Sequence, residues 1–277
     1  MKTDVVVIGA GLGGLACAAD LAGRGAGVVL LERHSEVGGY ASGFVRGPFR
    51  FDVSQHCVGG LAAGGSLHSL LDRLGIAGDI RLETPGTAAV LWTPGMRLAI
   101  PNGSEAVRAA LGDAFPGDRE GISRLLGECS AIHGDTVAGA LTGDTRRLIR
   151  GMRLAGSRTF ESALAPAVGS ADLRAILSLP WNLIGLPPSR AAYSWFAKVL
   201  STTFIEEARH VAGGGHALAR AMADRAKALG AEILTGDGAR GIALSGGRVS
   251  SVETQSGRTI EASAVVAGVD PWTILDR

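Results

Sequence analysis

The feature that most constrains this chain is the order of elements in its first 32 residues. A β-branched apolar run, Val5–Ile8, ends at the glycine-rich segment 9–14, GAGLGG. A small, apolar segment follows at 15–21, and a second apolar run at 28–31 ends at Glu32. Short, fully apolar runs are typical of buried parallel strands. The order strand, glycines, helix, strand and acid therefore predicts a βαβ unit with parallel strands.

The glycine segment has the spacing G-x-G-x-x-G, which suits a dinucleotide phosphate site. Gly9 allows a tight turn, Gly11 lets the backbone approach a pyrophosphate, and Gly14 allows close packing of helix on strand. The N-terminus of the helix offers N–H groups and a positive dipole end to the anion. Glu32 follows at close to the usual spacing of about 20 residues for an acid that binds ribose hydroxyls. Because its carboxylate would repel a 2′-phosphate, the site disfavours NADP. The alternative is a plain glycine-rich turn, since the chain contains 42 glycines.

A second glycine pair, Gly38-Gly39, follows Glu32 and Arg33, with Ser42 just beyond. This E-x-x-x-x-x-G-G-x-x-S pattern resembles the extended motif of FAD-dependent oxidoreductases related to phytoene desaturase, amine oxidases and GDP-dissociation inhibitor. The resemblance implies an FAD cofactor, with Gly39 and Ser42 toward the flavin and Arg33 toward the adenine. A glycine turn after a strand is again the alternative.

Two later stretches extend the resemblance. FDVSQH at 51–56 is similar to a stretch of phytoene desaturase and retinol saturase relatives, with Ser54 where they usually have glycine. The segment 111–126 is similar to the cap region of carotenoid desaturase and isomerase relatives. His56 and Cys57 are not expected to form a catalytic dyad, because side chains of adjacent residues usually point apart. A structural His56 is favoured over one that lines the flavin cavity.

The resemblance implies an α/β fold with a Rossmann-like FAD-binding domain, made of a parallel sheet and a three-stranded β-meander, and an inserted α+β substrate domain. The FAD-binding domain takes 1–80 and 211–277, and the substrate or cap domain takes 81–210. Ala239 matches the position before the meander whose backbone pairs with adenine in relatives. Those relatives continue further and add a second FAD motif, so the pattern here is incomplete at the C-terminus. The predicted cofactor-binding residues are Gly9, Gly11, Leu12, Gly13, Gly14, Glu32, Arg33, Gly38, Gly39, Ser42 and Ala239.

The function that the resemblance implies is FAD-dependent oxidation or reduction of C–C or C=C bonds in a lipophilic, carotenoid- or polyene-like substrate. Desaturation, saturation and isomerisation all remain open, and the sequence names no catalytic residue. The apolar stretch 173–195 is expected to form core, the wall of a ligand pocket, or both. A second polypeptide that carries the C-terminal half would complete the enzyme, and a fragment of a longer enzyme is the other interpretation. The alternative functions are a non-catalytic FAD- or partner-binding subunit and an amine-oxidase-like flavoenzyme.

Composition narrows the class of protein further. The net charge is +1 without a basic tract, so nucleic acid is not an expected partner. Three scattered cysteines suggest neither a disulfide framework nor a metal site, which predicts a cytoplasmic location. The apolar N-terminus is interrupted by glycines and flanked by Asp4 and Asp20, which favours a strand and helix over a signal peptide. The arginines of 146–158 suit a solvated helix face, and peripheral contact with anionic lipid is the alternative.

Overall fold

The computed structural model describes residues 1–54, 57–93 and 95–275. The β-strands are β1 (Val5–Ile8), β2 (Val28–Glu32), β3 (Gly43–Arg46), β4 (Phe49–Asp52), β5 (Leu82–Glu83), β6 (Thr87–Thr93), β7 (Met96–Pro101), β8 (His210–Val211), β9 (Glu232–Thr235), β10 (Ala239–Ser245), β11 (Arg248–Thr254), β12 (Thr259–Glu261) and β13 (Ala264–Ala267). The α-helices are α1 (Leu12–Gly23), α2 (Ser66–Arg73), α3 (Ser104–Ala114), α4 (Arg119–Thr142), α5 (Thr145–Ala155), α6 (Phe160–Leu164), α7 (Ala171–Ser178), α8 (Trp181–Ile184), α9 (Tyr193–Leu200), α10 (Gly215–Ala228) and α11 (Pro271–Leu275). A π-helical turn spans Ser201–Ile205.

The chain divides into two compact units. The first unit comprises 1–56, 70–82 and 211–277, and the second comprises 57–69 and 83–210. The sequence-based division places 57–69 in the first segment, whereas these residues pack within the second unit. Val58 and Arg209 explain this placement, because each donates a backbone hydrogen bond to the other at 2.9 Å. No local sequence pattern reveals a bridge between residues so far apart in the chain.

The first unit is built on a four-stranded parallel sheet with the order β13-β1-β2-β9. β2 is buried along its whole length, as expected for a central strand of apolar residues. Strands β10, β11 and β12 form a separate antiparallel meander. The predicted α/β class, the parallel sheet and the three-stranded meander are therefore confirmed.

Side chains on the two faces of the parallel sheet pack against two different layers. Val6, Val29 and Leu31 belong to a buried cluster with Val252 and Ile260 of the meander. Successive side chains of a strand point to opposite faces, so the intervening residues face the helices. Helices α1 and α10 pack against each other through small buried residues. The sheet thus lies between the meander and a helical layer.

The second unit holds the α6–α9 region, in which an aromatic stack forms part of the core. The rings of Phe160 and Phe196 lie 3.7 Å apart between centroids and are nearly parallel, and Tyr193 stacks on Phe160 at 6.3 Å. All three side chains are fully buried. Trp181 and Trp195 are instead 49% and 51% exposed. The apolar stretch at 173–195 therefore contributes both core and an exposed apolar face.

Arginines of the 146–158 segment contact acidic residues of the second unit. Arg150 donates two hydrogen bonds to the carboxylate of Asp135, and it lowers the pKa of that carboxyl group. Arg158 hydrogen-bonds Glu128 and lies 4.7 Å over the ring of Tyr193. These two arginines thus fasten α5 and the segment that follows it to α4 and α9.

Candidate functional site

The turn after β1 brings the chain directly into a helix. Gly9 has φ +97°, a conformation that favours glycine, and its N–H donates to Leu31 O at 2.8 Å. Helix α1 then begins at Leu12, with Gly11 as its extended N-cap residue. The first turn of a helix leaves backbone N–H groups without intrahelical partners. N–H groups of this kind are the donors that bind anions at helix N-termini.

The glycines of this turn have different spatial roles. A Cβ at Gly14 would lie 1.9 Å from Gly9 O, so the close approach of helix and turn requires glycine there. A Cβ at Gly11 or Gly13 would meet no atom within 4 Å. The backbone at these two positions therefore faces open space beside the helix N-terminus. This is the arrangement that an approaching pyrophosphate needs.

The second glycine pair lies against the first motif. Gly38 N–H donates to Ala10 O at 2.8 Å, and a Cβ at Gly39 would lie 3.2 Å from Gly11 Cα. Both glycines have positive φ, +125° for Gly38 and +56° for Gly39. The chain turns back immediately, because Ser42 N–H donates to Gly39 O at 3.1 Å. The two glycine segments together form one backbone surface, which we call the glycine cradle (residues 9–14 and 38–39).

Glu32 lies beside this cradle at the end of β2 and is only 7% exposed. Its Oε2 accepts the N–H of Ala10 at 2.8 Å, and its Oε1 accepts the N–H of His34 at 2.9 Å. Each carboxylate oxygen keeps further acceptor capacity, so the group can also bind ribose hydroxyls. Glu32 therefore holds the glycine turn in place, and its carboxylate oxygens can still accept hydrogen bonds from a ligand.

Arg33 and Ala239 are placed by the loop that enters the meander. Asp237 N–H donates to Glu32 O at 3.1 Å, and a Cβ at Gly238 would lie 2.8 Å from Arg33 Cβ. The side chain of Asp237 accepts hydrogen bonds from the N–H and Oγ–H of Ser256, which lower the pKa of its carboxyl group. This loop thus brings Arg33 and the start of β10 to the end of β2 that carries Glu32.

Asp52 is a structural element of this region that sequence reasoning missed. Its Oδ1 accepts the N–H of Gly215 at 2.9 Å, which caps the N-terminus of α10. A Cβ at Gly214 would lie 2.3 Å from the same oxygen. Both stretches are visible in the sequence, one as FDVSQH and one as GGGH, but their pairing across the chain is not. His56, for which the sequence favours a structural role, lies outside the described residues.

The first prediction concerns Glu32→Ala. We expect the free energy of unfolding to fall by about 2 kcal/mol, because the substitution leaves the buried N–H of Ala10 without a partner. We also expect weaker flavin binding, because the carboxylate whose oxygens suit ribose hydroxyls is lost. Urea denaturation without cofactor measures the first effect, and a flavin titration measures the second. Glu232→Ala, at an exposed carboxylate on neighbouring β9, is the control and should change neither value. Unchanged stability and unchanged flavin affinity in Glu32→Ala would contradict this role.

Comparison with known proteins places the chain among proteins with related sequences and folds. Residues 7–74 match the family described as an NAD(P)-binding Rossmann-like domain. The all-trans-retinol 13,14-reductase of Danio rerio is 28% identical over 250 residues, which cover 83% of this chain and 41% of that protein. The phytoene dehydrogenase of Streptomyces griseus is 31% identical over 288 residues, which cover 96% of this chain and 54% of that protein. The resemblance to phytoene desaturase and retinol saturase is confirmed.

The chain spans about half the length of these curated relatives. A solved structure of an oxidoreductase from Methanosarcina mazei matches with a TM-score of 0.69 and 20% identity, covering 96% of this chain and 58% of that one. This likeness shows the shared fold. Together with the glycine cradle, the similarity to phytoene desaturase-like proteins implies a flavin cofactor.

Two further properties bear on the chemistry. Within the part of the chain that the structure describes, no group of three or more His, Cys, Asp and Glu residues is placed to hold a metal ion. Among the same residues, no helix combines the length and apolarity that crossing a membrane requires.

Proposed function

We propose that this chain is the FAD-binding part of an oxidoreductase that acts on C–C or C=C bonds of a lipophilic, polyene-like substrate. The observation that carries the proposal is the junction of the two glycine segments at Gly11 and Gly39, with the buried carboxylate of Glu32 beside it. A pyrophosphate needs close backbone approach and N–H donors, and a ribose needs acceptors. The glycine cradle and Glu32 supply both.

Each predicted residue then has a task in holding FAD. Gly11, Leu12 and Gly13 present the first-turn backbone to the pyrophosphate, while Gly9 and Gly14 shape the turn. Glu32 accepts ribose hydroxyls, and Arg33 with the backbone of Ala239 borders the adenine. Gly38 and Gly39 bring the second segment against the pyrophosphate, and Ser42 lies on the flavin side. Bound FAD supplies hydride acceptance or donation, and the protein supplies orientation and exclusion of water.

The proposal that the substrate is lipophilic rests on two observations. The curated relatives carry the names of a retinol reductase and a phytoene dehydrogenase. The second unit of this chain exposes large apolar side chains on neighbouring helices, including Trp181, Leu183 and Trp195. An exposed apolar face of this kind suits contact with an apolar ligand or with another protein segment.

We further propose that a complementary segment, on the same or a separate polypeptide, completes the first unit. β13 lies at the edge of the parallel sheet with most of its residues exposed. Exposed strand edges of this kind accept a further strand. The hairpin β3–β4 also exposes the aromatic side chains Phe44, Phe49 and Phe51. The length of the relatives supports a segment about as long as this chain.

An activity assay with the completed enzyme tests the proposed function. The chain is combined with the product of any adjacent reading frame, loaded with FAD, and incubated with phytoene, lycopene or all-trans-retinol. We expect a change in the number or geometry of double bonds in one of these polyenes, detected by chromatography and absorption. The matched control is the same preparation with Gly11→Ala. Polyenes that stay unchanged with an FAD-loaded complex would contradict the substrate class, while the FAD site would stand on its own evidence.

A further inference from the structure

A cavity lies entirely within the second unit and contains none of the residues of the glycine cradle. Its volume is about 230 Å3. Its lining combines polar and apolar side chains with two glycines. The lining residues are Gly64, Ser66, Ser69, His133, Gly134, Val137, Ala138, Leu141 and Glu206.

A buried histidine–carboxylate pair forms the polar side of this cavity. His133 is only 5% exposed, and its Nε2 lies 3.0 Å from Glu206 Oε1. The other nitrogen of the ring, Nδ1, and the other carboxylate oxygen, Oε2, are both buried without a hydrogen-bond partner. Buried polar atoms are nearly always hydrogen-bonded, so two orphan atoms on one pair require an explanation.

The hydrogen-bonding chemistry of His133 and Glu206 determines which kind of ligand could bind to this pair. A carboxylate oxygen accepts hydrogen bonds, whereas each ring nitrogen of a histidine accepts or donates depending on the tautomer. The buried Glu206 Oε2 therefore calls for a ligand that donates a hydrogen bond.

A glycine, Gly60, packs tightly against the polar side of this cavity. Gly60 has φ +77°, and a Cβ there would lie 2.4 Å from Ser66 Oγ and 3.0 Å from Glu206 Oε2. Glu206 directly follows the π-helical turn, and its N–H donates to Ser201 O at 2.7 Å. Single π-turns occur frequently at functional sites. The missing side chain at Gly60 thus allows the carboxylate and the serine hydroxyl to lie close together.

The lining that α4 contributes beyond His133 is apolar. Val137 and Leu141 follow His133 at intervals of four residues on α4, so they lie on the same face of that helix, next to Ala138. Leu141 is more than one-third exposed. The apolar wall therefore leads from the buried pair to the surface, as a ligand with a polar end and an apolar body requires.

We propose that this cavity binds the terminal N–H or O–H donor of an amphipathic small molecule, a primary amine or a primary alcohol. An ammonium or hydroxyl group would donate to Glu206 Oε2, and an ammonium group keeps further N–H donors for Ser66 Oγ. A ligand that ends in a carboxylate is excluded, because it would bring a second anion to Glu206. The site is independent of the cofactor and of the proposed reaction.

Calorimetric titration of the full chain with three probes of equal chain length tests this site. Hexylamine, hexan-1-ol and hexanoate are titrated separately. We expect one-to-one binding of hexylamine, of hexan-1-ol, or of both, and no binding of hexanoate. Binding of hexylamine alone assigns an ammonium site, and binding of hexan-1-ol alone assigns a hydroxyl site. Absence of binding for both of these probes, or equal binding of hexanoate, would overturn the proposal.

Two variants locate the binding in the cavity. Glu206→Gln replaces an acceptor oxygen by an amide and should weaken binding of the preferred probe at least about tenfold. Ala138→Leu fills the cavity from the apolar side without touching the pair, and it should also weaken binding if Glu206→Gln does not fold. Glu120→Gln removes an exposed carboxylate from the same helix and serves as the control. Unchanged affinity in a folded Glu206→Gln or in Ala138→Leu would overturn the assignment.

Discussion

Gly11→Ala is expected to abolish most FAD binding while leaving the fold intact. The residue has φ −69° and ψ 172°, which alanine adopts readily, and the new Cβ would meet no protein atom within 4 Å. We therefore expect the free energy of unfolding to stay within about 0.5 kcal/mol of the original value. The new methyl group would instead occupy the space through which a pyrophosphate approaches the backbone. Losing a hydrogen bond to a charged group corresponds to roughly 10- to 100-fold weaker binding.

The matched control for this variant is Gly78→Ala. Gly78 lies in the first unit outside the glycine cradle, is exposed, and likewise has open space at its Cβ position. Because it belongs to neither glycine segment of the cradle, we expect FAD affinity to be retained. Flavin fluorescence titration and urea denaturation of the two variants give the comparison. Equal FAD affinity in the Gly11 and Gly78 variants would count against the glycine cradle as the pyrophosphate site.

Gly14→Ala is expected to have the opposite effect and to prevent stable folding of the first unit. Its Cβ would lie 1.9 Å from Gly9 O, a backbone atom that cannot move without breaking the turn after β1. Overpacking against a rigid neighbour costs about 3 kcal/mol or more. Domains have only about 5–15 kcal/mol of stability, so this loss removes much of the folded population.

Thermal or urea unfolding measured by circular dichroism checks this second effect. Gly13→Ala is the control for stability, since alanine replaces glycine in the same helix without a contact and is expected to be neutral or slightly stabilising. A Gly14→Ala protein with the original stability would contradict the close packing of α1 on the Gly9 turn. In that case the structure of the turn itself, and not only its ligand, would need revision.

Local patterns in the sequence predict the first unit well, because each of its strands and turns depends mainly on residues that are close together in the sequence. The buried run Val28–Glu32 forms a central strand, and glycine turns separate the strands of the meander. The spacing of Gly9, Gly11 and Gly14 likewise requires only one turn and one helix. The similarity to phytoene desaturase-like proteins extends this local evidence to the fold class.

Contacts between distant residues could not be predicted in the same way. The cap that Asp52 gives to Gly215 joins two stretches whose pairing has no sequence signal. His133 and Glu206 lie on separate elements, and neither belongs to a recognisable motif. The bridge between Val58 and Arg209 also depends on the folded second unit. Such pairs become visible only when tertiary packing is known.

The central claim is that the glycine cradle and Glu32 bind the AMP and pyrophosphate half of FAD. Equilibrium titration of the chain with FAD and with FMN, followed by flavin fluorescence, tests it most directly, because FMN lacks the AMP half. We expect saturable binding of FAD, and FMN weaker by at least about 100-fold, since it cannot reach Glu32 or span the cradle. Equal affinity for the two flavins, or no saturable binding of FAD, would contradict the claim.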